Sequence, residues 1–263
     1  MKIKNLIFFD WDDTLSDFKT GIIPDSAISA LQTLNQQANT VVAVASGRAA
    51  FFFQNKVKDF RLDAMVCTNG QYASLYGKVI YESFAKAEDR DRLIEVLKPF
   101  GGSVMGIHSE LGIKMYLYPT NPEILNHDSY QSLSAYGPSI ETIDKVHILL
   151  AGYPEAADVA VQAALPQYQC HRYNGYMVDI IPKNASKLAG IEVIAQHLGL
   201  ELKDVYAFGD SHNDYQMIEG VGMGIALGNA KEEIKAIAQY VTTDLQDDGV
   251  YKALVHLGLL KEN

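Results

Sequence analysis

Cysteine is scarce in this sequence, which contains Cys67 and Cys170 among 263 residues. The two are not arranged as a CxxC pair, so the sequence offers neither a zinc ribbon nor a redox-active dithiol. Such sparse thiols are typical of proteins from a reducing compartment. We therefore expect a cytoplasmic protein.

Long apolar runs are also missing. The N-terminal stretch MKIKNLIFFD begins with basic residues, but its apolar run of about five residues is shorter than that of a secretory signal. No uninterrupted run approaches the roughly 18 apolar residues that a membrane span requires. We expect a soluble protein without a membrane partner.

Positive charge is in deficit, with 22 lysines and arginines against 32 acidic residues and a net charge of −10. Such a surface repels nucleic acids and anionic lipids, so we expect no nucleic-acid partner. Hydrophobic residues make up 48% and charged residues 21%, as in ordinary globular proteins. The length suffices for one large domain or for a core with a smaller second domain.

Short apolar segments recur along the chain without polar alternation, which predicts strands that are buried on both faces. They lie at residues 3–9, 40–45, 63–67, 204–208 and 222–226. Helical patterns separate them, for example after Pro24-Asp25-Ser26 and from Leu188 to Leu198. Strands that alternate with helices predict a parallel α/β sheet.

The middle of the chain follows another pattern. Residues 82–183 contain predicted helices at 88–97 and 154–165 and predicted strands at 102–108, 113–118, 146–150 and 176–181. We interpret this part as an inserted α+β domain. Residues 1–81 and 184–263 would then form one discontinuous core.

Polar residues follow each predicted core strand. In open α/β sheets, ligands bind beyond the carboxyl ends of the strands. If the first and fourth strands are neighbours, at least four carboxylates meet at one edge, where like charges favour a hard cation such as Mg²⁺. The alternative for Asp10 and Asp12 is a simple turn, because aspartate is common after strands.

Lys187 places a positive charge in the first turn of a predicted helix, which Asn184 would cap. A cation at this end opposes the helix dipole, and a nearby anion would remove that objection. The alternative is an ordinary solvated lysine.

Four motifs in order resemble those of the haloacid dehalogenase (HAD) superfamily phosphatases, within them the Cof-type group with a class IIB cap. They are Asp10-Trp11-Asp12-Asp13-Thr14, Ser46-Gly47-Arg48, Lys187 and Gly209-Asp210-Ser211-His212-Asn213-Asp214. The resemblance implies a Rossmann-like parallel-sheet core with helices on both faces, and a cap at residues 82–183 that determines substrate specificity. Asp13 departs from the pattern, since this position is more often glycine; aspartate tolerates a left-handed backbone better than most residues.

The resemblance also implies residue roles. Asp10 would be the nucleophile, and Asp12 the general acid and then the base. Mg²⁺ would be held by Asp10, by the Asp12 carbonyl group and by Asp210, with Asp214 in outer-shell or water-mediated contact. The phosphoryl oxygens would be bound by four residues, namely Ser46, Gly47, Lys187 and Asn213.

The implied activity is Mg²⁺-dependent hydrolysis of a small phosphorylated metabolite through an aspartyl-phosphate. Sugar phosphates are the first candidate class, and phosphorylated cofactors such as pyridoxal or flavin phosphates are the second. Two alternatives stay open at this point: a phosphotransferase or mutase, and a non-catalytic sensor of a phosphorylated ligand. The sequence leaves the individual substrate and the oligomeric state open.

Overall fold

A computed structural model describes residues 2–54, 56–128, 139–172 and 175–262. The chain divides into two compact units. The first comprises Met1–Gly47, Asn55–Tyr81 and Ser186–Asn263, and the second comprises Arg48–Gln54 and Glu82–Ala185. The segment Arg48–Gln54, which we expected in the core, belongs to the second unit because its apolar residues Ala49 and Phe51 pack in a cluster there.

The first unit is built on an eight-stranded sheet. Its strands are β1 (Asn5–Phe9), β2 (Thr40–Ala45), β3 (Ala64–Cys67), β4 (Tyr72–Leu75), β5 (Lys78–Glu82), β11 (Val205–Gly209), β12 (Met223–Ala226) and β13 (Tyr240–Val241). They are arranged in the order β13-β12-β11-β1-β2-β3-β4-β5. The neighbouring strands from β13 to β3 in this order pair in parallel, and β4 pairs antiparallel with β3.

The central strands are buried as the sequence predicts. Every residue of β2 is buried, and so are the four apolar residues that end β1. A strand that is covered on both faces needs apolar side chains in both directions, which explains the absence of alternation. The observed sheet and helices confirm the predicted Rossmann-like α/β class.

The α-helices of the first unit connect these strands. They span Asp25–Gln36, Lys187–His197, Tyr215–Gly220, Glu232–Ile237 and Gly249–His256. The helix that contains Lys187 begins one residue after Ser186, whose side chain accepts a hydrogen bond from the Ala189 N–H. Ser186 is therefore the N-cap, and the prediction of Asn184 in that position is wrong. The prediction that Lys187 lies in the first turn is correct.

The second unit contains an antiparallel sheet. Its strands are β6 (Ser103–His108), β7 (Gly112–Leu117), β8 (Ile148–Gly152), β9 (Tyr168–Arg172) and β10 (Met177–Pro182). They are arranged in the order β7-β6-β8-β10-β9. Its α-helices span Ala50–Phe53, Ala87–Leu97, Pro122–Leu125 and Asp158–Ala164. No helix within the described ranges is long and apolar enough to cross a membrane.

The two faces of this second sheet carry different apolar clusters. Val178 and Ile180 of β10 belong to the cluster that includes Leu93 of the helix Ala87–Leu97. Met177 and Ile181 of the same strand belong to another cluster. Because side chains alternate along a strand, odd-numbered residues of β10 lie on the face opposite to that helix. We call this second surface the odd face.

Candidate active site

The register of β1 and β11 brings two predicted site residues together. Phe9 is paired with Phe208, and their rings stack with centroids 4.7 Å apart. The next residue, Asp10, donates its backbone N–H to the Phe208 carbonyl group at 2.9 Å. Since Asp210 follows shortly after Phe208, the carboxyl ends of the two strands place Asp10 and Asp210 at the same edge.

Lys187 lies between two carboxylates. Its Nζ atom is 2.6 Å from Asp10 Oδ1 and 2.6 Å from Asp214 Oδ1. The lysine is 1% exposed, so this is a buried ion group and not a solvated surface side chain. The two anions remove the unfavourable effect of a cation in the first helical turn. Asp10 and Asp214 lie 177 and 27 positions away from Lys187 in the chain, and both meet at its ammonium group.

Asp214 uses both of its carboxylate oxygens. Oδ1 accepts from Lys187, and Oδ2 accepts the backbone N–H groups of Asp210 and Ser211, each at 3.0 Å. This approach requires glycine at position 209, because an added Cβ there would lie 2.7 Å from Asp214 Cβ. Asp214 therefore anchors the lysine and closes the loop after β11. The predicted outer-shell contact of Asp214 with a metal stays a prediction.

Thr14 is a site residue whose role the sequence pattern did not indicate. Its hydroxyl group donates to Asp210 Oδ1 at 2.8 Å, and both residues are buried. The signal was present, since Thr14 ends the first motif. What the sequence does not give is its partner, which lies 196 positions away.

The electrostatics of this cluster favour a bound cation. Burial, then the Asp214 carboxylate, raises the pKa of Asp10 well above its ordinary value despite the opposing effect of Lys187. Burial and Asp214 likewise raise the pKa of Asp210 to about 7. Burial lowers the pKa of Lys187, but the Asp10 and Asp214 carboxylates outweigh it and the net shift is upward. A divalent ion would stabilise the ionised carboxylates that otherwise repel one another.

The donor set fits a hard metal ion. Asp10, Asp210 and Asp214 each offer one carboxylate oxygen, and these atoms all lie within 4.8 Å of one another. Oxygen ligands of this kind are those that Mg²⁺ prefers. Asp12 follows Asp10 and pairs with Ser16 in an isolated bridge. Asp13 adopts a left-handed backbone with φ of 56°, as its tolerance of that region allows.

The predicted phosphate-binding residues lie in different environments. Ser46 is buried at the end of β2, and its N–H donates to the Val66 carbonyl group at 2.9 Å. Gly47 lies against the Asn69 amide, with Oδ1 3.1 Å from the position of an added Cβ. Asn213 is exposed, and its Oδ1 accepts from the Ser211 hydroxyl group at 2.8 Å. Phosphate binding by Ser46, Gly47 and Asn213 stays a prediction.

A strained loop supports this edge of the sheet. Thr68, Asn69 and Gly70 have φ values of 49°, 53° and 91°, three successive left-handed conformations. Asn69 donates its N–H to the Ser46 carbonyl group at 3.2 Å. An added Cβ on Gly70 would lie 1.9 Å from the Ser186 carbonyl oxygen, so only glycine fits next to the helix that carries Lys187.

The second unit holds another group of metal-ligand type, made of Glu82, His108 and His147. His147 Nδ1 accepts the Ser109 N–H at 3.0 Å, so the neutral ring carries its proton on Nε2, which lies 3.2 Å from Glu82 Oε1. His108 Nδ1 also accepts a backbone N–H, from Glu110 at 3.3 Å. Metal binding through Nε2 would require both rings to hold their protons on Nδ1, against these donors. We interpret this group as a structural hydrogen-bonded cluster.

A parallel sheet with strand-end carboxylates and a buried lysine at one edge defines an enzyme of the haloacid dehalogenase type. The model of the haloacid dehalogenase-like hydrolases matches residues 7–254, and the chain belongs to this family. This result confirms the resemblance that the four motifs indicated.

Relatives with known names support the same class. The Bacillus subtilis (strain 168) protein named "Putative phosphatase YkrA" is 31% identical over 97% of this chain and 98% of its own length. A hypothetical protein from Geobacillus kaustophilus HTA426 superposes with a TM-score of 0.87 at 32% identity, over 97% of this chain and 99% of its own. The HAD subclass IIB sugar phosphatase BT4131 matches with a TM-score of 0.77 at 26% identity, over 97% and 100%. The chain is a phosphatase of this family.

Proposed function

We propose that this phosphatase hydrolyses a small phosphomonoester with Mg²⁺ as cofactor and through an aspartyl-phosphate intermediate. The observation that carries the proposal is the position of Lys187, whose buried ammonium group binds Asp10 and Asp214 at 2.6 Å each. Phosphoryl transfer depends mainly on positioning and on charge compensation. A cation that is fixed beside a strand-end carboxylate supports both.

Asp10 is the proposed nucleophile. One of its carboxylate oxygens forms a bond to phosphorus while the bond from phosphorus to the leaving oxygen breaks, which gives the aspartyl-phosphate and an alcohol. Lys187 holds the Asp10 carboxylate in place. Water then attacks phosphorus, releases inorganic phosphate and regenerates Asp10.

Asp12 is the proposed general acid and base. In the first step it gives its proton to the leaving oxygen, and in the second step its carboxylate takes a proton from the attacking water. The site thus uses two aspartates, two positions apart, for different tasks. Over one turnover, Asp12 therefore gives one proton and takes one back.

Asp10, Asp210 and the Asp12 carbonyl group would hold the Mg²⁺ ion, with Asp214 in its outer shell. When bound, the ion would neutralise charge on the phosphoryl oxygens during transfer. Thr14 keeps the Asp210 carboxylate oriented through its hydroxyl group. Such a hydrogen bond would fix the orientation of a metal ligand without contacting the metal itself.

Ser46, Gly47, Lys187 and Asn213 are the proposed donors to the phosphoryl oxygens. A hydroxyl group, a backbone N–H, an ammonium group and an amide suit an anion with several acceptor oxygens. We further propose that the second unit is a cap that determines specificity. Sugar phosphates are the substrate class we favour, since the similar protein BT4131 is a sugar phosphatase.

The test is a panel of about a hundred phosphomonoesters, assayed for phosphate release with Mg²⁺, with EDTA, and with Mg²⁺ restored. We expect turnover of sugar phosphates that EDTA abolishes and Mg²⁺ recovers. Asp10→Asn should lose phosphate release and keep its circular dichroism spectrum. Turnover that survives thorough chelation would exclude Mg²⁺ from the mechanism. Full activity of Asp10→Asn would exclude Asp10 as the nucleophile.

Product analysis in the same assay separates hydrolysis from its alternatives. An isomeric sugar phosphate without free phosphate would indicate a mutase. Tight binding of an ester without any turnover would indicate a sensor. Free phosphate in equal amount to the released alcohol is the outcome we expect.

A further inference from the structure

The strand β5 forms one edge of the eight-stranded sheet and has β4 as its neighbour. It is five residues long, and among the strands that the structure describes no other pairs with it. The opposite edge, β13, is only two residues long. An edge strand presents unpaired N–H and C=O groups, and a very short edge limits their pairing with another chain. Of the two edges, β5 is therefore the one that is long enough to pair with a further strand.

The turn before β5 determines which of its backbone groups point outward. Tyr76 and Gly77 have φ values of 50° and 73°, as the two central residues of a type I′ hairpin turn do. In a β-turn the N–H of the fourth residue binds the carbonyl group of the first, so the Lys78 N–H faces β4. Hydrogen-bonding directions alternate along an antiparallel strand. The N–H and C=O groups of Val79 and Tyr81 therefore point away from β4.

The side chains in the middle of β5 are apolar or aromatic on both faces. Val79 and Tyr81 lie on one face, and each is 39% exposed. Ile80 lies on the other face, where it is partly buried against the apolar core of the first unit. A strand added at this edge would thus find apolar contacts on both faces of the sheet.

The charges of β5 are arranged symmetrically about Ile80, with Lys78 two residues before it and Glu82 two residues after it. If two copies of β5 run antiparallel with Ile80 opposite Ile80, each Lys78 lies opposite a Glu82 and each Val79 opposite a Tyr81. Opposite charges and a β-branched residue beside an aromatic ring are both favourable cross-strand pairs. A parallel arrangement would place like charges opposite each other. The charge pattern therefore selects the antiparallel one.

We propose that β5 is an interaction surface for a second copy of this chain, which pairs with it antiparallel about a two-fold axis at Ile80. The outward N–H and C=O groups of Val79 in one copy bind those of Tyr81 in the other, and the axis repeats this pair. Because both copies use the same surface, the contact closes at a dimer. The two sheets continue into each other across the axis.

Glu82 can take part in this contact although it already has a hydrogen-bond partner. Its Oε1 atom lies 3.2 Å from His147 Nε2, and its side chain is 32% exposed. A carboxylate has two acceptor oxygens and can bind a histidine and a lysine together. Lys78 is exposed and reaches the edge from the opposite copy. Since two short strands bury less area than a standard interface, we expect a weak dimer that depends on concentration.

Analytical ultracentrifugation of the full-length protein over a concentration series tests the proposal through the dissociation constant of the dimer. We expect a monomer–dimer equilibrium with a dissociation constant in the micromolar range. Lys78→Glu and Glu82→Lys should each raise this constant by about 10-fold or more, because each replaces attractive cross-strand pairs by repulsive ones. The double variant Lys78→Glu/Glu82→Lys again places opposite charges face to face, and its constant should lie within about threefold of wild type.

The two single variants also separate direct pairing from a general effect of charge. Lys78→Glu makes the net charge of −10 more negative, and Glu82→Lys makes it less negative. General repulsion between copies would move the dissociation constant in opposite directions, whereas direct pairing raises it in both variants. Lys58→Glu is the matched control, since it reverses an exposed lysine outside β5. It should leave the constant within about threefold of wild type.

Val79→Pro tests the backbone part of the contact. Proline removes the outward N–H and leaves the pairing with β4 intact, because proline is tolerated on the open side of an edge strand. We expect this variant to stay monomeric and to keep the circular dichroism spectrum of wild type. A wild-type protein that is monomeric up to about 1 mM would overturn the proposal. So would a dimer that persists in Val79→Pro, that the single charge reversals leave unchanged, or that the double variant fails to restore.

Discussion

The Nζ atom of Lys187 lies 2.6 Å from Oδ1 of Asp214, and both side chains are fully buried. The sequence predicts an outer-shell or water-mediated metal contact for Asp214, and its hydrogen bonds also make it the anchor of the lysine. A buried ion pair contributes little net stability compared with apolar residues, but removing one partner leaves the other charge uncompensated.

Loss of this anchor should destabilise the core. We expect Asp214→Asn to lower the free energy of unfolding by about 3 to 5 kcal/mol, measured by urea denaturation, because the Lys187 ammonium group loses one of its two anions. Glu232→Gln is the control. Its surface pair with Lys235 is 3.0 Å long, with the glutamate side chain 91% exposed, and its loss should cost less than about 1 kcal/mol. Equal effects of the two substitutions would contradict the assignment.

Thr14 offers a test of the hydrogen bond that orients Asp210. Thr14→Val keeps the shape of the side chain and removes the hydroxyl group that donates to Asp210. We expect the Mg²⁺ concentration for half-maximal phosphate release to rise by about 10-fold or more. Thr33→Val is the matched control: it makes the same substitution and removes an exposed hydroxyl group that donates to the Ser29 carbonyl group. An unchanged Mg²⁺ requirement in Thr14→Val would show that Asp210 is oriented without it.

Acid sensitivity should arise at His147. Burial, then the neighbouring His108, lowers the pKa of His147 to about 3, whereas the unfolded chain titrates near 6.5. The neutral ring thus contributes stability that is fully present above about pH 6.5 and is lost as pH falls toward 3. The slope for one such group is about 1.4 kcal/mol per pH unit.

His147→Gln tests this sign, because glutamine does not titrate. Denaturation between pH 7 and pH 4 should show a shallower loss of stability in this variant than in wild type. His212→Gln is the control, since His212 is exposed and pairs with Glu233 at the surface. Parallel curves for wild type and His147→Gln would place the acid sensitivity at other groups.

Gly70 tests the strained loop next to the site. Gly70→Ala would place a Cβ 1.9 Å from the Ser186 carbonyl oxygen, in a backbone with φ of 91°. Gly77→Ala is the control: Gly77 has a similar backbone, with φ of 73°, but no atom lies within 4 Å of an added Cβ. We expect Gly77→Ala to lower the free energy of unfolding by about 1 kcal/mol, and Gly70→Ala to lower it by about 2 kcal/mol more. Gly70→Ala should also lose phosphatase activity, because the helix that carries Lys187 shifts. Similar stability and activity of both variants would show that the loop can relax.

The strands of the core could be predicted because a strand that is buried on both faces consists mainly of apolar residues. The segments at 40–45 and 204–208 correspond to β2 (Thr40–Ala45) and β11 (Val205–Gly209). Boundaries were less accurate where local signals compete. The predicted helix at 154–165 is a 3-10 turn at Glu155–Ala157 that leads into the helix Asp158–Ala164.

The sequence alone determined which residues follow the strands, and therefore that Asp10 and Asp210 lie at one edge of a parallel sheet. It determined this because strand burial and turn chemistry are local properties. The partners were decided only by the tertiary structure: Asp214 for Lys187 and Thr14 for Asp210. Such pairings join residues that are distant in the chain, and their geometry follows from strand register and packing, which no local pattern specifies.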